Sequence, residues 1–239
     1  MRGKEFLTFI SGGCRVAASF FAAPPSLPLL RSQGLEIIEL RLDLAAVNHF
    51  DEARRLLAYF AGWPVIATVR AAWEGGQWRG DEAARIRLLQ DIAAFVSAAD
   101  VELATDNRRE IIKSIKASGA AAIVSQHNFA GMDDMASMTT AAAAAFADGA
   151  DVYKIAVTVT NDEDVAVLAQ FAQQQDKPCI VIGMGDNQSA RHARQTLPAQ
   201  GSAIAFAAAV QKTARGQLSL SETAQAVRTA RAQSPAAGP

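Results

Sequence analysis

The sequence predicts a single (β/α)8 barrel, a TIM barrel, on three observations. Eight short apolar runs recur along the 239 residues, each followed by a helical pattern. The length suits one such barrel better than two small domains. The polar residues that sit oddly in these runs fall repeatedly near their C-terminal ends, where barrels of this kind carry their chemistry. A doubly wound open sheet is the competing fold. It would want a glycine fingerprint after the first strand, but Arg15 to Pro25 has no glycine and Gly183-Met184-Gly185 comes late.

Taken in order, Arg15 to Phe21 is the first strand, and Pro24-Pro25 breaks the chain before a short helix from Leu27 to Gln33 that Gly34 caps. Leu35 to Asp43 is the second strand. Its period-two alternation sets Glu39, Arg41 and Asp43 on one face and Ile38, Leu40 and Leu42 on the other. Charges on a strand otherwise apolar must be paired or functional. A helix from His49 to Ala61 leads to strand three, Val65 to Arg70, and then to the loop Ala71 to Gly80, which holds Glu74 and the pair Gly75-Gly76. Asp81 to Ala99 reads as helix, Asp100 to Leu103 as strand four and Asp106 to Ser118 as helix. Strand five is Ala120 to Ser125, and the alanine-rich stretch from Asp133 to Ala147 is strongly helix-forming. Val152 to Val157 is strand six, and Asn161 caps a helix running from Asp162 to Gln175. Strand seven is Cys179 to Met184. A loop with a short helix, Gly185 to Gln200, precedes strand eight, Ser202 to Phe206. A mobile segment, Gln211 to Leu218, and a helix from Ser221 to Ala232 follow, and Ser234 to Pro239 reads as a disordered tail.

Composition narrows the function. The net charge of −1 supplies no field to recruit nucleic acid or an anionic membrane surface. Cys14 and Cys179 are far apart and carry neither a disulfide framework nor a zinc-ligand spacing, which suits a reducing cytoplasm and predicts no metal. The run Phe6 to Ile10, preceded by Arg2 and Lys4, has the outline of a secretory leader. It is short, Glu5 abuts it and Ser11 to Cys14 lacks a lipobox leucine, so export is not expected. No stretch approaches the roughly 20 apolar residues of a membrane helix.

Two segments carry the chemistry. His127 follows the apolar run Ala121 to Ser125, and Lys154 stands inside Val152 to Val157, where burial statistics disfavour a lysine. A lysine acts as a nucleophile only when neutral, which a buried site beside a cation such as Arg41, Arg70 or His127 favours. The product would be an imine with a ketone or aldehyde. Once protonated, that imine acidifies the adjacent C–H, and His127 is placed to remove the proton. Glu74 is the carboxylate best placed in the chain to hold His127.

These residues fall within motifs that resemble, in order and spacing, those of type I 3-dehydroquinate dehydratase. The motifs are ELRLD (Glu39 to Asp43), TVRAAWEGG (Thr68 to Gly76), DVEL (Asp100 to Leu103), SQHNF (Ser125 to Phe129), DVYKIAV (Asp151 to Val157) and GQL (Gly216 to Leu218). The resemblance runs from about Arg15 to Leu218. It implies a cofactor-free cytoplasmic homodimer that dehydrates 3-dehydroquinate to 3-dehydroshikimate, in aromatic biosynthesis or in quinate breakdown. By motif match, Lys154 would form the imine, His127 would be the general acid and base, and Glu74 would orient the histidine. Ser19, Glu39, Arg41 and Arg70 match positions that hold the substrate. For the arginine that grips the substrate carboxylate, Arg191 has the interval from Met184-Gly185, whereas Arg194 has the interval to Gly201-Ser202 and is preferred. The lid motif Ser-Ala-Pro-Gly-Gln stands here as Thr213 to Gln217, with Arg215 in place of proline, and His-Asp-Phe stands as His127-Asn128-Phe129. Thr213 and Gln217 keep the hydrogen-bonding groups of the lid. A class I aldolase barrel and a non-catalytic barrel are the competing readings. The arginine-bearing segment Arg191 to Arg194 speaks against the first, and retention of every reacting residue against the second.

Overall fold

Eight parallel strands alternate with helices in the computed structural model, which describes residues 1–233; the predicted tail from Ser234 lies outside them. The strands are β1 (Arg15–Phe20), β2 (Ile37–Arg41), β3 (Val65–Thr68), β4 (Ala98–Glu102), β5 (Ala121–Asn128), β6 (Val152–Thr158), β7 (Cys179–Met184) and β8 (Ile204–Ala207). Their order is β7-β6-β5-β4-β3-β2-β1-β8. Among the described residues a single bridge between Cys179 and Ser202 joins β7 to β8 and brings the sheet round into the predicted barrel. The Ser202 hydroxyl reinforces that seam by accepting from the Val181 N–H at 3.1 Å.

The helices are α1 (Gly3–Ser11), α2 (Leu27–Ser32), α3 (Phe50–Ala58), α4 (Glu82–Ala93), α5 (Arg108–Ala117), α6 (Met135–Ala147), α7 (Asp162–Gln173), α8 (Gln188–Thr196) and α9 (Leu220–Gln233). Asp81 caps α4 by accepting from the Ala84 N–H, and Asn161 caps α7 through the Asp164 N–H, as its sequence position predicts. The outward residues of β2, among them Ile38 and Leu40, join the core between sheet and helices, while Glu39 on the alternate face points into the barrel.

Several boundaries differ from expectation. The helix predicted to reach Ala99 ends at Ala93, and Ala98 and Ala99 belong to β4, paired with Ile66 and Ala67 on one side and Ala121 and Ala122 on the other. Alanine's helix propensity is a fraction of a kcal/mol per residue, and ladder pairing with burial on both faces overrides it. Strand β5 runs three residues past the predicted Ser125, so His127 is a strand residue paired with Ala156. Lys154 is the third of seven residues in β6 rather than near its end.

The N-terminal apolar run is helical. It forms α1, which lies across the lower, N-terminal mouth of the barrel. Phe6 and Ile10, one helical turn apart, are buried against Ala17, Ile37, Ile66, Ala121, Val152 and Ile204 of the strands. Burying two such side chains stabilises the fold by roughly 1.5–3 kcal/mol each. Gly3 lies so close to Ala120 and Ala121 that a Cβ there would overlap their backbone. The Arg2 guanidinium donates to the carbonyls of Ala94 and Ser118, tying the helix to the chain ahead of β4 and β5.

Candidate active site

At the opposite mouth, Ser19, Glu39, Arg41, Arg70, His127, Lys154, Arg194, Thr213 and Gln217 line one cavity of about 450 Å³. Glu74 stands behind His127. The ten residues preferred in the sequence reading are therefore together at this end of the barrel.

Lys154 enters from β6, opposite Ser125 of β5. Its Nζ lies 3.0 Å from Asp100 Oδ2, 3.3 Å from Glu39 Oε1 and 4.9 Å from the centroid of the Phe206 ring. Arg70 donates to the same Asp100 oxygen at 2.9 Å, so the cation expected near Lys154 is present but acts across a shared carboxylate. Burial pushes the Asp100 carboxyl up, and the Arg70 and Lys154 cations more than offset this, holding it far below the usual carboxylate range. Glu39 is lowered in the same way by Lys154 and Arg41 against its burial, and it accepts from the Ser19 and Thr68 hydroxyls. Arg41 forks onto Asp43 at 2.9 and 2.8 Å.

His127 sits two residues above the Lys154 level on the neighbouring strand. Its Nδ1 is 2.7 Å from Glu74 Oε2, and its ring stacks on Phe129 at 5.9 Å with an interplanar angle of 10°. The loop after β3 brings Glu74 there through a tight turn from Ala72 to Glu74, in which Ala71 O accepts from the N–H groups of Glu74 and Gly76. The glycine pair is required by this geometry. Gly75 has φ +76°, with Phe129 ring carbon 2.5 Å from where a Cβ would stand, and a Cβ on Gly76 would run into the Arg70 carbonyl. Burial first, then the Arg70 and Lys154 cations, holds His127 well below 6.5. Burial pushes the Glu74 carboxyl up to about 7. Above that pH the ionised carboxylate accepts from Nδ1–H, which leaves Nε2 as the ring nitrogen free to act as a base.

Of the two candidate arginines, Arg191 pairs with Glu222 on the surface, whereas Arg194 is buried and faces the cavity. Arg194 donates to the Arg215 carbonyl at 3.0 Å, its Nε has no partner among the described residues, and burial lowers it to about 10. An under-satisfied guanidinium in a cavity fits an anionic ligand. The segment Thr213 to Gln217 folds on itself: Gln217 Oε1 accepts from the N–H groups of Thr213 and Ala214 at 2.7 and 3.2 Å. Arg215 pairs with Asp186 on the rim at 3.0 Å rather than entering the cavity, and Asp186 also accepts from the Gly216 N–H. Asn128, where the resemblance expects aspartate, donates to Asp133 and accepts from the Ala130 and Gly131 N–H groups, organising the turn after β5.

The sequence reading assigned no role to Asp100, Glu102 or Ser125, which the structure places in contact with Arg70. Ser125 bridges Arg70 Nη1 and Asp100 Oδ1 at 2.6 Å each, and Glu102 accepts from Arg70 and from the Ala71 N–H at 3.0 Å each. The signal for Asp100 and Glu102 is period-two spacing within DVEL, the same signal that flagged Glu39 and Arg41.

Residues 18–234 match the family model described as type I 3-dehydroquinase. A 3-dehydroquinate dehydratase from Methanococcoides burtonii is 34% identical over 199 residues, covering 81% of this chain and 84% of that protein. One from Methanothrix thermoacetophila is 35% identical over 197 residues, covering 82% and 83%. Among solved structures, 3-dehydroquinate dehydratase from Geobacillus kaustophilus superposes with a TM-score of 0.79 at 26% identity, covering 93% of both chains.

Proposed function

The chain belongs to the type I 3-dehydroquinase family, and within that family of dehydratases we propose that Lys154 forms an imine with the substrate ketone while His127 moves the protons of the elimination. The protein is a 3-dehydroquinate dehydratase, a hydro-lyase of the shikimate pathway. The observation that carries the mechanistic reading is the convergence of Lys154 and His127 on one cavity from neighbouring strands, with Glu74 bonded to the far nitrogen of the imidazole.

In this reading neutral Lys154 Nζ adds to the C3 carbonyl of 3-dehydroquinate, and loss of water gives a protonated imine. His127 Nε2 takes a proton from C2, and the electron pair of that C–H bond delocalises into the imine as an enamine. The same histidine returns its proton to the C1 hydroxyl, which leaves as water as the C1–C2 double bond forms. Water then hydrolyses the imine, releasing 3-dehydroshikimate and restoring the amine. Glu74 sets the tautomer of His127. Arg194 pairs with the substrate carboxylate, while Ser19, Glu39, Arg41 and Arg70 position its hydroxyls. Thr213 and Gln217 complete the enclosure from the lid, which excludes water until hydrolysis.

We further propose a cytoplasmic homodimer, which sedimentation of the purified protein tests; a monomer at micromolar concentration would sink it. The mechanism is tested by mixing the protein with 3-dehydroquinate and following the ultraviolet absorbance of the conjugated enone. A parallel sample is reduced with borohydride. Enone formation with a borohydride-stable adduct on Lys154 is the expected result, and turnover with no trappable adduct rules the imine out.

A further inference from the structure

Arg85 lies on α4, outside the cavity, and is fully buried. A buried guanidinium carries a large desolvation cost unless it is paired, and this one is paired on every side. Its Nη1 donates to Glu102 Oε2 at 2.6 Å and to the Val69 carbonyl at 2.8 Å. Its Nε and Nη2 fork onto Glu82 at 2.7 and 2.6 Å, and Nη2 also reaches the Thr105 hydroxyl at 3.1 Å.

The other oxygen of Glu102 accepts from Arg70, and Arg70 meets Lys154 on one oxygen of Asp100. A line of alternating charge thus runs inward from α4: Arg85, Glu102, Arg70, Asp100, Lys154 and Glu39. Its three cations balance its three carboxylates only while Lys154 holds its proton. Around Lys154 stand Glu39 and Arg41 from β2, Arg70 after β3, Asp100 and Glu102 from β4, and His127 from β5. Glu74 on the loop after β3 and Arg194 on α8 complete the charged surroundings. Of the cations, Arg85 is the one that does not line the cavity.

We propose that Arg85 is a positioning residue that acts through Glu102 to lower the pH at which Lys154 gives up its proton. The inference rests on the imine reading of Lys154. Its physical content is that Glu102, one step nearer to Lys154 along that line than Arg85, would stand uncompensated on one side if Arg85 were neutral, and would stabilise the ammonium. Glu102 also holds the Ala71 N–H at the root of the Glu74 loop. A merely structural Arg85 would therefore affect His127 and the elimination, and leave the pH dependence of imine formation in place.

The test is the rate of adduct formation on Lys154 with 3-dehydroquinate and cyanoborohydride across pH, with the adduct located by peptide mass spectrometry. Arg85→Gln should raise the half-point of that profile by about one pH unit, the shift of a unit charge at protein dielectric across intervening side chains. Arg85→Lys, which keeps the charge and loses the fork, should return it to within a few tenths of a unit of the wild type. Glu102→Gln should lower it, and decides the matter alone if Arg85→Gln does not fold. An unmoved half-point in Arg85→Gln, an equal shift in Arg85→Lys, or an unmoved or raised half-point in Glu102→Gln overturns the proposal. Absence of any adduct on Lys154 in the wild type overturns the imine reading instead.

Discussion

On the inner face of β2, β4 and β6 the same strand carries an apolar residue low in the barrel and a charged one two positions later: Ile37 then Glu39, Ala98 then Asp100, Val152 then Lys154. The lower half is sealed by Phe6 and Ile10 and gains stability from area removed from water, an additive and non-directional contribution. The upper half removes ions from water, and their mutual attraction does little more than offset that loss. Apolar packing below thus secures the register in which the charges above must meet, and the charged layer contributes reactivity in place of stability.

If that division holds, substitutions above and below should damage different properties. The largest effect is expected for Lys154→Ala, which should abolish turnover and the borohydride adduct; residual dehydration at wild-type rate would place the nucleophile elsewhere. His127→Ala should still give the adduct on Lys154 while elimination slows by about 10²–10⁴-fold, and rapid-mixing kinetics separates the two steps. Equal loss of both steps would mean that the upper layer collapses as a unit. In the lower half, Phe6→Ala should cost about 3–5 kcal/mol in denaturant unfolding while kcat and KM of the folded fraction stay as they are. A changed KM would show that the halves are coupled.

The smallest effect concerns Glu74. Its carboxyl titrates at about 7 in the folded protein against 4.5 when exposed, so the folded state binds that proton more tightly. The resulting stabilisation is full below 4.5 and is lost as pH rises through 7. Glu74→Gln removes the dependence, so the melting temperature of the variant relative to wild type should be higher at pH 8 than at pH 5. A gap that is flat or opposite in sign would contradict the raised carboxyl.

The barrel and the cavity-lining residues were legible for one reason: a polar side chain inside or at the end of an apolar run is locally anomalous, and Glu39, Arg41, His127 and Lys154 are such residues. The supporting layer was less so. Asp100 and Glu102 fall on the predicted strand four, but a strand starting at Asp100 has no apolar run ahead of them to make their charge anomalous; Ala98 and Ala99, which extend it, carry a helical preference that pairing with β3 and β5 overrules. Arg85 sits in ARIRLLQDI, where an arginine reads as a solvated position; only tertiary packing covers that face of α4. The role of α1 was readable in the i, i+4 spacing of Phe6 and Ile10, a signal overshadowed by the question of a leader peptide.

Helix α1 also bears on vectorial synthesis. It leaves the ribosome before any strand, yet the floor it seals is assembled from strands as distant as β8, and its backbone partner Gly119 lies more than a hundred residues downstream. Helix α1 is thus made before every strand it packs against, and its apolar face is covered only once those strands have come together.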